Sequence, residues 1–141
     1  MAHEIDYQDY QMALQFDKRA SRLGALKPLV RKLIEGIKLK ADDRVLDVGT
    51  GTGRLALMLH ARVPEGSIVG VDSGRGMLKL AREKTLKQGV ENLFLVRGEA
   101  EALPFLSGAF DSACMMMSFH HFASPEQATR EIHRILKPQG F

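Results

Sequence analysis

The chain has 141 residues, with 20 Lys and Arg against 17 Asp and Glu, 45% hydrophobic and 26% charged residues, one Cys and no Trp. That length suits one domain burying roughly 68–70% of its unfolded surface, and the composition argues against intrinsic disorder. No apolar run approaches the roughly 20 residues that cross a bilayer, no signal-like stretch opens the sequence, and the net charge of +3 is scattered, so no nucleic-acid groove is expected.

The single thiol, Cys114, cannot form an intrachain disulfide, so a reducing, cytoplasmic setting is the expectation. No repeat or linker divides the chain. Residues 1–40 are expected to form an N-terminal helical cap and residues 41–141 an α/β unit. Residues 10–25 read as a first helix. Pro28 suits the first turn of a second, on which Leu29, Val30, Leu33, Ile34 and Ile37 would share one apolar face. After Ala41-Asp42-Asp43, Arg44 to Val48 reads as a short buried strand running into Gly49-Thr50-Gly51-Thr52-Gly53. Leu55 to Leu59 is continuously apolar, and its Ala, Leu and Met content favours a helix from about Gly53 to Arg62 over a strand.

Pro64-Glu65-Gly66 breaks that helix, and Ser67 to Asp72 is a second strand. Met77 to Gln88 is an amphipathic helix with Lys79/Glu83 and Glu83/Lys87 at i,i+4 and Gly89 as its stop. Asn92 to Val96 reads as a third strand and Phe110 to Met117 as a fourth. Ser124 caps the last helix, Pro125 opens it and Gln127 completes a capping box. Ala128, Ile132, Ile135 and Leu136 make its inner face. Strands alternating with helices predict a parallel sheet with helices on both faces, a three-layer sandwich.

Ligands of such sheets bind at the carboxyl ends of the strands, where strand order reverses. Asp47 to Gly53, Asp72, Gly98-Glu99-Ala100 and Met115 to His121 all fall at those ends. Glycines at 49, 51 and 53 permit a tight turn and leave backbone bare, and the next helix would offer N–H groups to an anion. Asp72, 19 residues after Gly53, would end the second strand and accept two hydrogen bonds from a ribose diol. A structural turn with a helix-capping Asp is the plainer alternative. The spacing is GxGxG, and Arg54 stands where a dinucleotide-binding turn would carry its last small residue. Asp47 would disfavour a pyrophosphate and favour an ammonium or sulfonium. The ligand should carry ribose and positive charge.

Val45-Leu46-Asp47-Val48-Gly49-Thr50-Gly51-Thr52-Gly53 resembles the signature of class I S-adenosylmethionine-dependent methyltransferases. Gly70-Val71-Asp72, the segment from Gly98 to Phe105, Phe110-Asp111, Phe119-His120-His121-Phe122 and Leu136-Lys137-Pro138 agree in order and spacing. They are similar to the ubiquinone/menaquinone-biosynthesis C-methyltransferase branch, as, more weakly, is Phe16-Asp17-Lys18. The resemblance implies a Rossmann-like fold, S-adenosylmethionine as cofactor and a small-molecule methyl acceptor. It places the methionyl part against Gly49, Gly51 and Gly53, with Asp47 near its ammonium. It further implies that Asp72 holds the ribose, Met77 packs on the adenine, Glu99 and Ala100 meet the adenine edge, and Met115 lends backbone to the methionyl side. The family often has Asp in place of Glu99, and Ser73-Gly74-Arg75-Gly76 moves its usual serine by one position.

Methyl transfer needs mainly alignment, with a base only where the acceptor must lose a proton. His120 and His121 follow the fourth strand, where an acceptor would arrive, and are the catalytic candidates; a packed structural pair is the alternative. No His or Cys cluster has metal-ligand spacing, and Cys114 in an apolar strand reads as a buried thiol. Two rivals stand beside a methyltransferase: a nucleotide-dependent oxidoreductase, and a cofactor-binding protein or fragment without transferase activity. The resemblance also implies three strands beyond Phe141, so the sheet is expected to stop at its fourth strand. Its apolar edge would then be bare unless a longer chain or a homo-oligomer covers it.

Overall fold

The computed structural model describes residues 6–22, 27–116 and 121–141. Among them the elements are α1 (Tyr10–Arg22), α2 (Lys27–Gly36), β1 (Arg44–Val48), α3 (Arg54–Leu59, continued by a 3-10 turn), β2 (Ser67–Asp72), α4 (Arg75–Lys87), β3 (Leu93–Arg97), β4 (Ser112–Cys114) and α5 (Pro125–Ile135). The strands form one parallel sheet in the order β3-β2-β1-β4. The chain steps outward from β1 to β3, then returns past β1 to add β4. Strand order therefore reverses beside β1, and the crevice of a Rossmann-like α/β fold opens there.

Alternation along the strands sends Val45 and Ile68 to one face and Leu46, Val48, Val69 and Val71 to the other. On the first face Leu55, Ala56 and Leu59 of α3 pack with Ile34 of α2. On the second, Phe110, Ala128 and Ile135 complete the layer. A third cluster, Ala13, Met77 and Leu80 with Tyr7, Tyr10 and Phe16 around it, holds α1 on α4.

Several expectations change. Leu29 and Leu33 are 56% and 64% exposed, because Ile34, assisted by Val30, is what α2 inserts into the core. The i,i+4 pairs on α4 do not form: Glu83 accepts from the Tyr10 hydroxyl of α1, and Lys79 sits 4.2 Å over the Tyr10 ring. Tertiary contact across α1 outcompetes pairs worth only ~0.3–0.5 kcal/mol. At the start of α5, the Ser124 side chain accepts from Gln127 N–H at 3.4 Å, as a cap should. The Gln127 amide, however, donates to the Glu101 carbonyl, while the Glu101 carboxylate takes Ser124 N–H, so Glu101 closes the box.

The fourth strand is short. Phe110 leaves it for the C-terminal segment, where its N–H donates to Ile135 and its carbonyl accepts from Lys137 N–H. That anchors a fully buried ring edge-on against Phe105. The outer edge of β4 is not bare either. Phe141 N–H donates to Asp111 O at 3.2 Å, and Phe141 O accepts from Ala113 N–H at 2.8 Å. Those two bonds are one step of a parallel ladder.

Candidate cofactor and acceptor site

The loop after β1 is held by the end of β2: Gly49 and Thr50 N–H both donate to Val71 O, at 2.9 and 3.0 Å. Gly49, Gly51 and Gly53 have φ of 69°, 56° and 79°, the left-handed region that L side chains enter at ~1–2 kcal/mol each. Their surroundings separate their tasks. A Cβ on Gly51 would meet nothing within 4 Å, whereas one on Gly53 would press on Ala81 Cβ of α4 at 3.2 Å. Gly51 thus keeps the loop bare, and Gly53 lets α3 start tight against α4. This contact supplies the close packing that a third glycine gives a dinucleotide fold, and it frees Arg54 to point away. Arg54 reaches Asp17 of α1 at 3.4 Å and the Ser21 hydroxyl at 3.1 Å.

Asp47, 1% exposed, accepts the Thr50 hydroxyl at 2.7 Å and the Ala56 N–H. Burial pushes its pKa up to about 7 against those two hydrogen bonds, and the nearby Asp72 adds to the rise. The Ala56 N–H in the first turn of α3 is thus engaged by Asp47. Asp72 ends β2. One carboxylate oxygen takes Gly51 N–H and the other Gly74 N–H, both at 2.8 Å, so this side chain ties the loop after β1 to the loop after β2. Burial raises its pKa, while the two N–H groups and His121 pull it back.

A cavity of about 590 Å³ opens at these strand ends. Of the residues expected there, Asp47, Gly49, Gly51, Asp72, Met77, Glu99, Ala100 and His121 line it together. Gly53 does not, for the packing reason above. Met115 packs on the core layer around Leu46 and Phe110, and Met116 lines the cavity beside it. His120 lies outside the described residues. Among those described, no three His, Cys, Asp or Glu are placed to hold a metal ion, and no helix is long and apolar enough to cross a membrane. The Cys114 thiol donates to Leu46 O at 3.5 Å, and burial pushes its pKa up, which leaves it a poor nucleophile.

The N-terminal segment supplies what the sequence reading missed. Tyr7 lines the cavity, its hydroxyl 3.5 Å from His121 Nε2 and its ring edge-on to His121 at 5.6 Å. Burial, then Asp72, raises its pKa. The glycines after β2 mark this crossing: a Cβ on Gly74 would strike Tyr7 O at 2.7 Å, and one on Gly76 would strike Asp9 at 2.5 Å. Asp17 of α1 accepts the Thr52 hydroxyl at 2.7 Å and pairs with Lys84 and Arg54. Burial alone would lift its carboxyl, but these partners hold it below the usual range. Glycines in a loop that lacks an evident ligand, Ser73-Gly74-Arg75-Gly76, were the available signal that backbone crosses there.

A methyltransferase-domain family profile matches residues 45–140. The chain belongs to the class I S-adenosylmethionine-dependent methyltransferase family. A demethylmenaquinone methyltransferase of Thermus thermophilus is 44% identical over 110 residues, covering 78% of this chain and 50% of that protein. The crystal structure of an S-adenosylmethionine-dependent methyltransferase from Aquifex aeolicus is 30% identical, with a TM-score of 0.72 over 76% of this chain and 57% of the other. A Methanococcus maripaludis structure, 22% identical, superposes on the fold with a TM-score of 0.85 over 99% of this chain and 64% of its own. The chain spans about half the length of the curated relatives it matches.

Proposed function

We propose that this chain is the cofactor-binding part of an S-adenosylmethionine-dependent methyltransferase that modifies a small molecule in the cytoplasm. The observation that carries this reading is the joint held by Asp72. Each of its oxygens already takes one backbone N–H, and each keeps a further lone pair for one hydroxyl of a ribose diol. The residues fit the cofactor elsewhere too. Gly51 offers bare backbone, Met77 an apolar wall, and Asp47, Asp72, Glu99 and Glu101 an acidic lining suited to a cationic ligand. Family membership and a relative named as a demethylmenaquinone methyltransferase support the same reading.

Bound there, the cofactor would supply an electrophilic methyl carbon, which the acceptor's electron pair takes as the carbon–sulfur bond breaks. The protein's part is alignment and exclusion of water. Tyr7 and His121 stand together at the cavity and are the groups available to orient an acceptor or remove its proton. We assign His121 that role, and His120 is its neighbour in sequence. Gly53 and Met115 act at one remove, through the position of α3 and of the strand end.

Calorimetry tests the binding step: S-adenosylhomocysteine should bind the chain and NADH should not. Asp72→Asn should weaken S-adenosylhomocysteine by at least about tenfold, since hydrogen bonds to a charged acceptor are worth ~1.5–3 kcal/mol each. Turnover of methyl-labelled cofactor against an acceptor panel tests transfer. Preference for NADH, or an Asp72→Asn affinity equal to wild type, would overturn the reading. We also propose that the β4 edge, which Phe141 pairs only in part, is covered further by a second copy of the chain, to be read by sedimentation.

A further inference from the structure

The segment before α1 is fastened to the loop after β2 by one side-chain amide. Gln8 Nε2 donates to Ser73 O at 3.1 Å, and Gln8 Oε1 accepts Arg75 N–H at 3.1 Å. Arg75 opens α4, and its N-cap, Gly74, has no side chain to satisfy a first-turn N–H. Gln8 therefore does from another element what a capping side chain does from within. Between the two anchor points lies Gly74, whose own N–H donates to Asp72 at 2.8 Å. Ser73 O takes a second donor, Arg97 Nε, at 3.3 Å from the end of β3. Gln8 is itself set by a turn, with its N–H on Asp6 Oδ1 at 2.9 Å and Asp9 N–H on Asp6 O at 3.0 Å. Its neighbour Tyr7 carries its hydroxyl to 3.5 Å from His121 Nε2.

We infer that Gln8 is a positioning residue for methyl transfer: its amide fixes Gly74 N–H on the carboxylate of Asp72 and, through the adjoining Tyr7, sets the Tyr7–His121 pair. The inference rests on the cofactor reading above and adds a residue outside the cavity lining, so its effect passes through others. Without the clamp, the loop samples arrangements in which Gly74 N–H leaves Asp72. Only the fraction with that bond in place meets a ribose at full strength, and apparent affinity falls by the same fraction. Linkage makes the effect reciprocal, so a bound cofactor tightens the clamp in return.

The probe is S-adenosylhomocysteine, followed by calorimetry and NMR. Gln8→Ala should weaken it about fivefold, as expected for two hydrogen bonds at an exposed site. Gln8→Glu keeps the size and the acceptor for Arg75 N–H but gives up the donor to Ser73 O, so it should weaken binding as Gln8→Ala does. Urea midpoints should stay near wild type, because Gln8 is exposed. Solvent exchange of Arg75 N–H reports the clamp directly: saturation with S-adenosylhomocysteine should slow it about fivefold in wild type and leave it unchanged in Gln8→Ala. The ring-to-ring nuclear Overhauser effect between Tyr7 and His121 should weaken in both variants. Wild-type affinity in Gln8→Ala or Gln8→Glu, Arg75 exchange indifferent to S-adenosylhomocysteine, or an unchanged Tyr7–His121 signal would overturn the inference and leave the cofactor reading standing. Failure of the wild-type chain to bind S-adenosylhomocysteine would overturn both.

Discussion

The buried carboxyl of Asp47 makes a quantitative demand on stability. An ordinary Asp carboxyl titrates near 3.8, whereas this one is carried to about 7 by burial, with Asp72 adding to the rise and the Thr50 hydroxyl and Ala56 N–H opposing it. The folded chain therefore holds the proton more tightly than the unfolded chain. Stability is highest below the unfolded value, declines as pH rises from about 4 to about 7, and remains at the lower level above. At ~1.36 kcal/mol per pH unit the whole window is worth ~4 kcal/mol, of which ~2–3 kcal/mol falls between pH 5 and pH 8. Asp47→Asn keeps the shape and an oxygen for the Thr50 hydroxyl but cannot ionise. Urea denaturation of both proteins at pH 5 and pH 8 should show the variant gaining on wild type by ~2–3 kcal/mol across that interval. Other carboxyls and histidines titrate in both proteins, so the difference between them isolates Asp47. A difference in stability that is the same at the two pH values would refute the argument.

Asp17→Asn removes the charge that gathers Thr52, Lys84 and Arg54. Hydrogen exchange should quicken across residues 10–22 by an amount equivalent to ~1–2 kcal/mol while β1 and β2 keep their protection. Gly51→Ala and Gly53→Ala should part ways. Both incur the left-handed strain of ~1–2 kcal/mol, but only the second also forces Ala81 aside and lowers the urea midpoint further, whereas the first should chiefly weaken S-adenosylhomocysteine. Ser112 Oγ is buried with no hydrogen-bond partner among the described residues. Ser112→Ala should therefore hold or raise stability, by up to ~1 kcal/mol in urea melts, and a loss greater than that would show the hydroxyl to be satisfied.

The sequence by itself determined the parallel α/β order, because short apolar strands between turn residues alternate with helical segments. It also picked out most of the groups that meet at the strand-end cavity: glycines at a strand end have few other uses, and a carboxylate ending the next strand has a fixed distance to span. Residues whose roles depend on what crosses them were decided only by the tertiary structure. Gly51 and Gly53 look alike in the motif, yet one faces open space and the other faces Ala81. Glu83 was spaced for lysines along α4 but was taken by Tyr10 from another helix, since local pairs are weak and a packed neighbour excludes water. Tyr7 gave no local sign of function, whereas Asp17 lies in a segment that already resembled the family. Tyr7 reaches the cavity because the segment before α1 crosses the loop after β2, and contacts that span tens of residues leave no short period in the chain.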